Sequence, residues 1–248
     1  MRCDVGIAEA LQKGAGMPTV RLYRWQPWAV SVGHHQDMAD IDASLCFQRG
    51  IDIVRRPTGG RAILHAEELT YSVVMYAGLR SILQVHNDIS TALVRGLHLY
   101  GVEATLQRAQ PDFSARYRQA SSIPCFTSSA RFEIEWRGRK LVGSAQRRYA
   151  GYEHDVVLQH GSLLCGPAHR HLVDVLSLRD EEIIQAMRTE LQEKTIDLST
   201  IRNAPVDIEE LAACIKRGFE LEWGITFTDA TVEPGEIVHT SHGRGSNG

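Results

Sequence analysis

Nothing in these 248 residues is apolar for long enough to cross a bilayer, and Met1-Arg2-Cys3-Asp4 opens a polar, amphipathic segment with no signal-peptide core. Neither a membrane span nor a secretory leader is expected, and the pattern points to the cytoplasm. Cysteine is sparse. Cys3, Cys46, Cys125, Cys165 and Cys214 form an odd set without a C-x-x-C pair, which suits neither a disulfide framework nor a structural zinc site. The eleven histidines include no H-E-x-x-H, and His34-His35 and His169-Arg170-His171 lack ligand spacing, so no metal is expected. The glycine spacings of nucleotide-binding loops are missing too. Nor is there a basic excess: a formal net charge of −3 argues against general binding of nucleic acid or anionic membrane.

What is present is a globular composition. With 43% hydrophobic residues the chain can bury a full core, and one domain over 1–240 is expected. The Gly/Ser-rich stretch 241–248 reads as a disordered tail. Apolar spacing predicts helices at 4–12, 81–100, 168–176, 180–194 and 207–222. Asp40 reads as the cap of another short helix carrying Ile41 and Leu45. Strands are expected at 19–25 and 29–33, paired as a hairpin in which Trp25 and Trp28 are core, and at 52–54, 62–64, 69–75, 139–146 and 156–164. Further strands are expected from the alternation of Val102, Ala104 and Leu106, and of Phe132, Ile134 and Trp136 against outward Arg131, Glu133 and Glu135. Between these last two strands lies an aperiodic loop gathering Arg108, Arg116 and Arg118. Strands mostly precede helices, so the expected class is α+β with a mixed, largely antiparallel sheet.

The densest chemistry lies in V-R-R-P-T-G-G-R-A-I-L-H-A-E-E-L-T-Y-S-V-V, residues 54–74. Pro57-Thr58-Gly59-Gly60 breaks a strand, and two glycines without Cβ atoms let backbone approach a ligand closely or aim N–H groups at an oxygen. A plain turn with a solvated rim formed by Arg56 and Arg61 is the alternative. Small residues Gly143, Ser144, Ala145 and Gly161 inside strands likewise permit close approach of a ligand or of another backbone. Cys125 sits between the aperiodic loop and a strand, behind Pro124 and before small polar residues, where a nucleophile would be accessible; an inert thiol is the other reading. Lys140 begins an apolar strand, either as a solvated ammonium or as a cation near a thiol or an acyl carbonyl. Arg137, Arg139, Arg147 and Arg148 form either a solvated face or a docking patch for an acidic carrier. His65 and His160 are either satisfied core histidines or proton relays.

R-R-P-T-G-G-R-A-I-L-H followed by E-L-T-Y-S resembles the signature of the lipoate ligase, octanoyltransferase and biotin ligase superfamily. C-F-x-S, G-R-K-L-V-G-S-A-Q-R-R and L-Q-H-G-S-L-L are similar to its cysteine-using octanoyltransferase branch, although Thr127-Ser128-Ser129 stand where that branch carries acidic and Ala-Pro-Ser residues. The resemblance implies the biotin/lipoate ligase catalytic core as the fold. It implies octanoyl transfer from an acyl carrier protein to a lysine of a lipoyl-accepting domain by a monomer that uses no cofactor. Cys125 becomes the thioester nucleophile and Lys140 the group that lowers its pKa. Arg56, Thr58, Gly59, Gly60, Arg61, His65, Gly143, Ser144, Ala145, His160 and Gly161 become the acyl and substrate site. An ATP- and magnesium-dependent lipoate ligase is the alternative, and typical ligases read G-G-G where this chain reads G-G-R and carry an accessory C-terminal domain that is not expected here. A non-catalytic protein that binds a carrier domain is a third reading.

Overall fold

The computed structural model describes residues 1–107, 133–151 and 154–228. In chain order these hold α1 (Arg2–Gln12), β1 (Thr19–Tyr23), β2 (Ala29–Val32), α2 (Ala43–Gln48), β3 (Asp52–Arg55), β4 (Ile63–His65), β5 (Glu68–Tyr76), α3 (Ile82–Leu99) and β6 (Thr105–Gln107). After these come β7 (Glu133–Trp136), β8 (Arg139–Tyr149), β9 (Val156–Leu164), α4 (Glu181–Lys194), α5 (Leu198–Arg202) and α6 (Ile208–Trp223), with 3-10 turns at Met38–Asp40 and Pro167–Val175. The strands make two sheets. One has six strands in the order β1-β5-β9-β8-β7-β6, the other three in the order β3-β2-β4. Among the described strands only β2 and β3 pair in parallel, so the expected mixed, largely antiparallel α+β architecture holds, divided over two sheets.

The division overturns the hairpin expected around Pro27. Two-residue alternation predicts two strands there but cannot name their partners: β1 pairs with β5 in the large sheet, while β2 becomes the centre of the small one. Trp28 is accordingly exposed, and Trp25 stacks on His65 instead of entering the core. The helix expected from Asp40 is capped by Asp42, whose carboxylate accepts from Leu45 N. Asp37 caps the preceding turn, and Ile41 bridges to Leu176. Val102 and Ala104 are buried ahead of β6 rather than within it, the helix expected at 168–176 winds as a 3-10 segment over Pro167–Val175, and α5 was not foreseen because five residues carry too little periodicity.

The large sheet buries opposite faces against different partners. On one face Leu69, Tyr71, Val73, Val157 and Leu163 pack against α3 and α6. On the other, Val74, Val156 and Leu158 meet Ile7, Ala8 and Leu11 of α1. The small sheet packs Val30, Val32, Ile63 and Leu64 against the 3-10 segment and α4, and Leu164 of β9 joins that cluster, so the small sheet lies on the α1 side of the large one.

Candidate active site

The ladder registers define a row of side chains between the two sheets. In an antiparallel pair, opposite residues share a face, so Thr70, Ser162 and Gly143 form one row across β5, β9 and β8, and Ser72, His160 and Ala145 the next. Gly143 offers no side chain and Ala145 a methyl, which leaves a narrow cleft. Its lining also includes Arg56, Ile63 and His65 of the small sheet and its loop. Sequence residues far apart thus meet here because two sheets face each other.

Two arginines fix the loop over this cleft. Arg55 Nη1 donates outward to the carbonyls of Gly33, His34 and Gln36 at 2.8–3.0 Å. Arg56, only 2% exposed, turns inward: Nε and Nη2 donate to Gly59 O at 3.1 and 3.0 Å, Nη2 to Arg61 O at 2.6 Å, and Nη1 to Ser31 O at 2.9 Å. The Thr58 hydroxyl meets His160 Nε2 at 2.7 Å, and Arg147 Nη1 donates to Pro57 O at 3.2 Å. Gly60 adopts φ +96°, and a Cβ on Gly33 would stand 1.9 Å from Gly60 O, so glycine is required at both positions. The segment is a loop anchored through buried Arg56 and Thr58, with Gly59 and Gly60 themselves exposed.

Not every expected site residue presents its side chain to the cleft. Ser144 faces the α3 side, where Tyr71 Oη donates to its Oγ at 2.6 Å. The space that Gly161 frees is taken by protein, since a Cβ there would lie 2.2 Å from Gly143 O and 2.6 Å from the Tyr71 ring. Both residues reach the cleft through backbone. Burial lowers the His160 pKa to about 3, so at neutral pH the ring is a neutral strut for Thr58. From Gly143 to Tyr149, the pairing of β8 among the described residues is with β9.

Lys140 reaches the same face through a bulge. β7 pairs Ile134 with Val142 but Glu135 with Lys140, leaving Leu141 as the extra residue, and both Leu141 and Val142 enter the α3-side core. Lys140 is thereby turned to the opposite face, and its Nζ lies 2.6 Å from Glu133 Oε1, with both side chains buried. Glu133 was expected to point outward; the bulge and the buried ammonium draw it in. Strand rise puts Lys140 about 10 Å from Gly143, and it does not itself line the cleft. Cys125 lies outside the described residues. Of the other thiols, burial raises the pKa values of Cys46 and Cys214 and pushes that of Cys165 up to about 12, away from thiolate chemistry.

The cluster beneath the loop contains residues not foreseen in the sequence. His65 Nε2 meets Ser31 Oγ at 2.7 Å, His65 Nδ1 meets Glu68 Oε1 at 2.8 Å, and Thr70 Oγ1 donates to that oxygen at 2.5 Å. The signal for them was polarity inside apolar strands: Ser31 within A-V-S-V, and Glu68 and Thr70 within E-L-T-Y-S. The arginines read as either one solvated face or one docking patch separate instead. Arg137 and Arg139 stand at one end of β8 and Arg147 and Arg148 at the other, roughly 30 Å away, with Arg148 paired to Asp155.

Residues 1–220 match the family model for the lipoyl protein ligase A/B catalytic domain. An octanoyltransferase LipM of Kyrpidia tusciae is 38% identical over 245 residues, covering 96% of this chain and 85% of that protein. The LipM octanoyltransferases of Exiguobacterium sp. and Brevibacillus brevis are 35% and 31% identical, covering 83% and 87% of those proteins. Among solved structures, a bi-partite lipoate protein ligase of Thermoplasma acidophilum aligns with a TM-score of 0.72 at 22% identity, over 94% of this chain and 82% of that one. A lipoate-protein ligase A bound with ATP aligns with a TM-score of 0.70 at 22% identity, over 94% and 84%. These structural likenesses carry the fold.

Proposed function

The chain belongs to the lipoyl protein ligase A/B catalytic domain family, and from that premise we propose that it is an octanoyltransferase of protein lipoylation. The observation that carries this reading is the 38% identity to an octanoyltransferase across 245 residues, whereas likeness to the ATP-bound ligase stands at 22% and speaks for architecture alone. The acceptor is a lysine of a lipoyl domain and the donor an octanoyl thioester on acyl carrier protein. The enzyme acts as a cytoplasmic monomer and needs no cofactor. No helix among the described residues is long and apolar enough to cross a membrane.

In the proposed reaction the Cys125 thiolate attacks the octanoyl thioester carbonyl, and the carrier thiol leaves with a proton. The acceptor amine then attacks the Cys125 thioester, forms the amide, loses its proton and releases Cys125. A thiolate suits both halves, because it exchanges one thioester for another with little change in bond energy. An ordinary cysteine, with a pKa of about 8.5, is only a few per cent thiolate at neutral pH, and the Lys140 ammonium is the cation assigned to favour the charged form. The anchored Gly59-Gly60 loop covers the acyl chain, and backbone N–H groups near Gly143, Ser144 and Ala145 meet the oxyanion.

Incubation with octanoyl carrier protein and no acceptor, followed by intact mass measurement, tests this. A hydroxylamine-labile gain of one octanoyl group is expected in wild type and in Cys46→Ala, Cys165→Ala and Cys214→Ala, and none in Cys125→Ala. An unmodified wild type, together with octanoyl-adenylate formed from free octanoate, ATP and magnesium, would overturn the reading in favour of a ligase.

A further inference from the structure

The proposed reaction gives Lys140 a task and leaves its partner without one. Lys140 and Glu133 are 6% and 7% exposed, and Lys140 Nζ stands 2.6 Å from Glu133 Oε1. Backbone fixes where the lysine starts. Lys140 faces Glu135 in the ladder, its carbonyl accepts from Ile196 N at 3.0 Å, and the bulge at Leu141 turns its side chain onto the face that carries Glu133. Two other titratable groups lie near enough to interact with its charge. Glu135 is half-buried, and burial, followed by the Glu133 charge, raises its pKa. Burial pushes His86 of α3 down to about 4, so that ring is neutral at pH 7. Among the described residues Glu133 is thus the carboxylate in direct contact with the ammonium.

A lysine beside an acyl thioester has two opposite fates. As an ammonium it has no lone pair, and it stabilises negative charge. As a free amine it is the same nucleophile as the acceptor lysine. It would attack the Cys125 thioester carbonyl, form a C–N bond, break the C–S bond and pass its proton to the departing sulfur. The octanamide left on Lys140 would be a dead end, because an amide does not return its acyl group to a second amine under these conditions. Burial drives a lysine toward the free amine, and a carboxylate in contact opposes that by favouring the charged form. We infer that Glu133 is a positioning residue that guards Lys140 against the enzyme's own acyl group, holding it as a fixed ammonium where a free amine would intercept the intermediate. The inference rests on the thioester reading for the source of the acyl group; the charge state of the pair does not depend on it.

Lys140 is one of four lysines, with Lys13, Lys194 and Lys216, so peptide mapping follows each of them. After incubation with octanoyl carrier protein and no acceptor, wild type is expected to carry octanoyl in hydroxylamine-labile form alone. Glu133→Gln, which keeps the shape and loses the charge, is expected to gain hydroxylamine-resistant octanoyl on Lys140 about tenfold or more faster than wild type, and Glu133→Asp to restore protection. A second arm dispenses with the thioester. In Cys125→Ala, p-nitrophenyl octanoate supplies the acyl group, and adding Glu133→Gln is expected to raise the labelling of Lys140 about tenfold or more relative to exposed Lys13. A Lys140 that stays unlabelled in this arm without Glu133, or is labelled as fast with it, overturns the inference. A wild type that forms no thioester, while the second arm shows the rise, overturns the transferase reading and supports the guard. If Glu133→Gln does not fold, nitrogen NMR of lysine-labelled wild type decides. Lys140 is expected as an ammonium coupled through its hydrogen bond to the Glu133 carboxyl carbon at neutral pH, and a neutral amine, or an ammonium without that coupling, overturns the inference.

Discussion

Lys140 and Glu133 are a buried pair at 2.6 Å, and such pairs are costly to break yet easily replaced. Lys140→Ala is expected to lower unfolding free energy by about 3 kcal/mol in urea titration and to abolish acyl transfer. A double Lys140→Met, Glu133→Leu variant should recover the stability and none of the activity, which separates the structural role of the pair from the chemical one. Histidine protonation gives a second expectation. Burial lowers His160 to about 3 and His169 to about 4, so below the ordinary value of about 6.5 the unfolded chain takes protons that the folded chain refuses. The stability tied to these rings is therefore complete above about pH 6.5 and falls as pH drops toward 4, by about 1.4 kcal/mol per pH unit for each ring. Urea midpoints measured between pH 7 and 5 should decline, with a shallower slope in His160→Gln.

Helices α3 and α6 cross with their backbones in contact. A Cβ on Gly218 would stand 2.4 Å from Gly96 N and 2.6 Å from Ala92 O, and one on Gly96 would stand 2.7 Å from the Ile215 Cα. Neither obstacle is the end of a flexible side chain. Gly218→Ala is expected to cost about 1–3 kcal/mol by overpacking, against a gain of up to about 1 kcal/mol in helix propensity, so the net sign is destabilising by chemical denaturation. The start of α3 offers a cleaner test: Ser81 and Gln84 form a reciprocal capping box, and Ser81→Ala should cost about 1 kcal/mol without touching the cleft. Elements of this kind were legible because their causes are local. The 3.6-residue spacing of Val85, Ile89 and Leu93, and the aspartates before α4 and α6, mark helix and end alike. The bulge at Leu141 was not legible, because alternation in β7 and β8 looks regular on each strand and fails only where the two are paired.

The site required knowledge of pairing over long sequence distances. Of the motif residues that could be named, Arg56, His65, Gly143, Ser144, Ala145, His160 and Gly161 line one cleft while Thr58, Gly59, Gly60 and Arg61 are not among its lining, and their side-chain directions could not be read. Ser144 belongs to the Tyr71 side of the sheet, and Ser31 and Glu68 became visible as partners only when β2, β4 and β5 were placed together. One consequence of the anchored loop is calorimetric. Thr58, Gly59, Gly60 and Arg61 are held by Arg56, His160 and the Gly33 contact before any acyl chain enters, so no loop-ordering entropy is left to spend on binding. Titration with a non-hydrolysable octanoyl analogue should therefore show a negative heat-capacity change that matches the apolar area the eight-carbon chain buries and no more, whereas Arg56→Ala, which frees the loop, should add a second, larger contribution from coupled ordering.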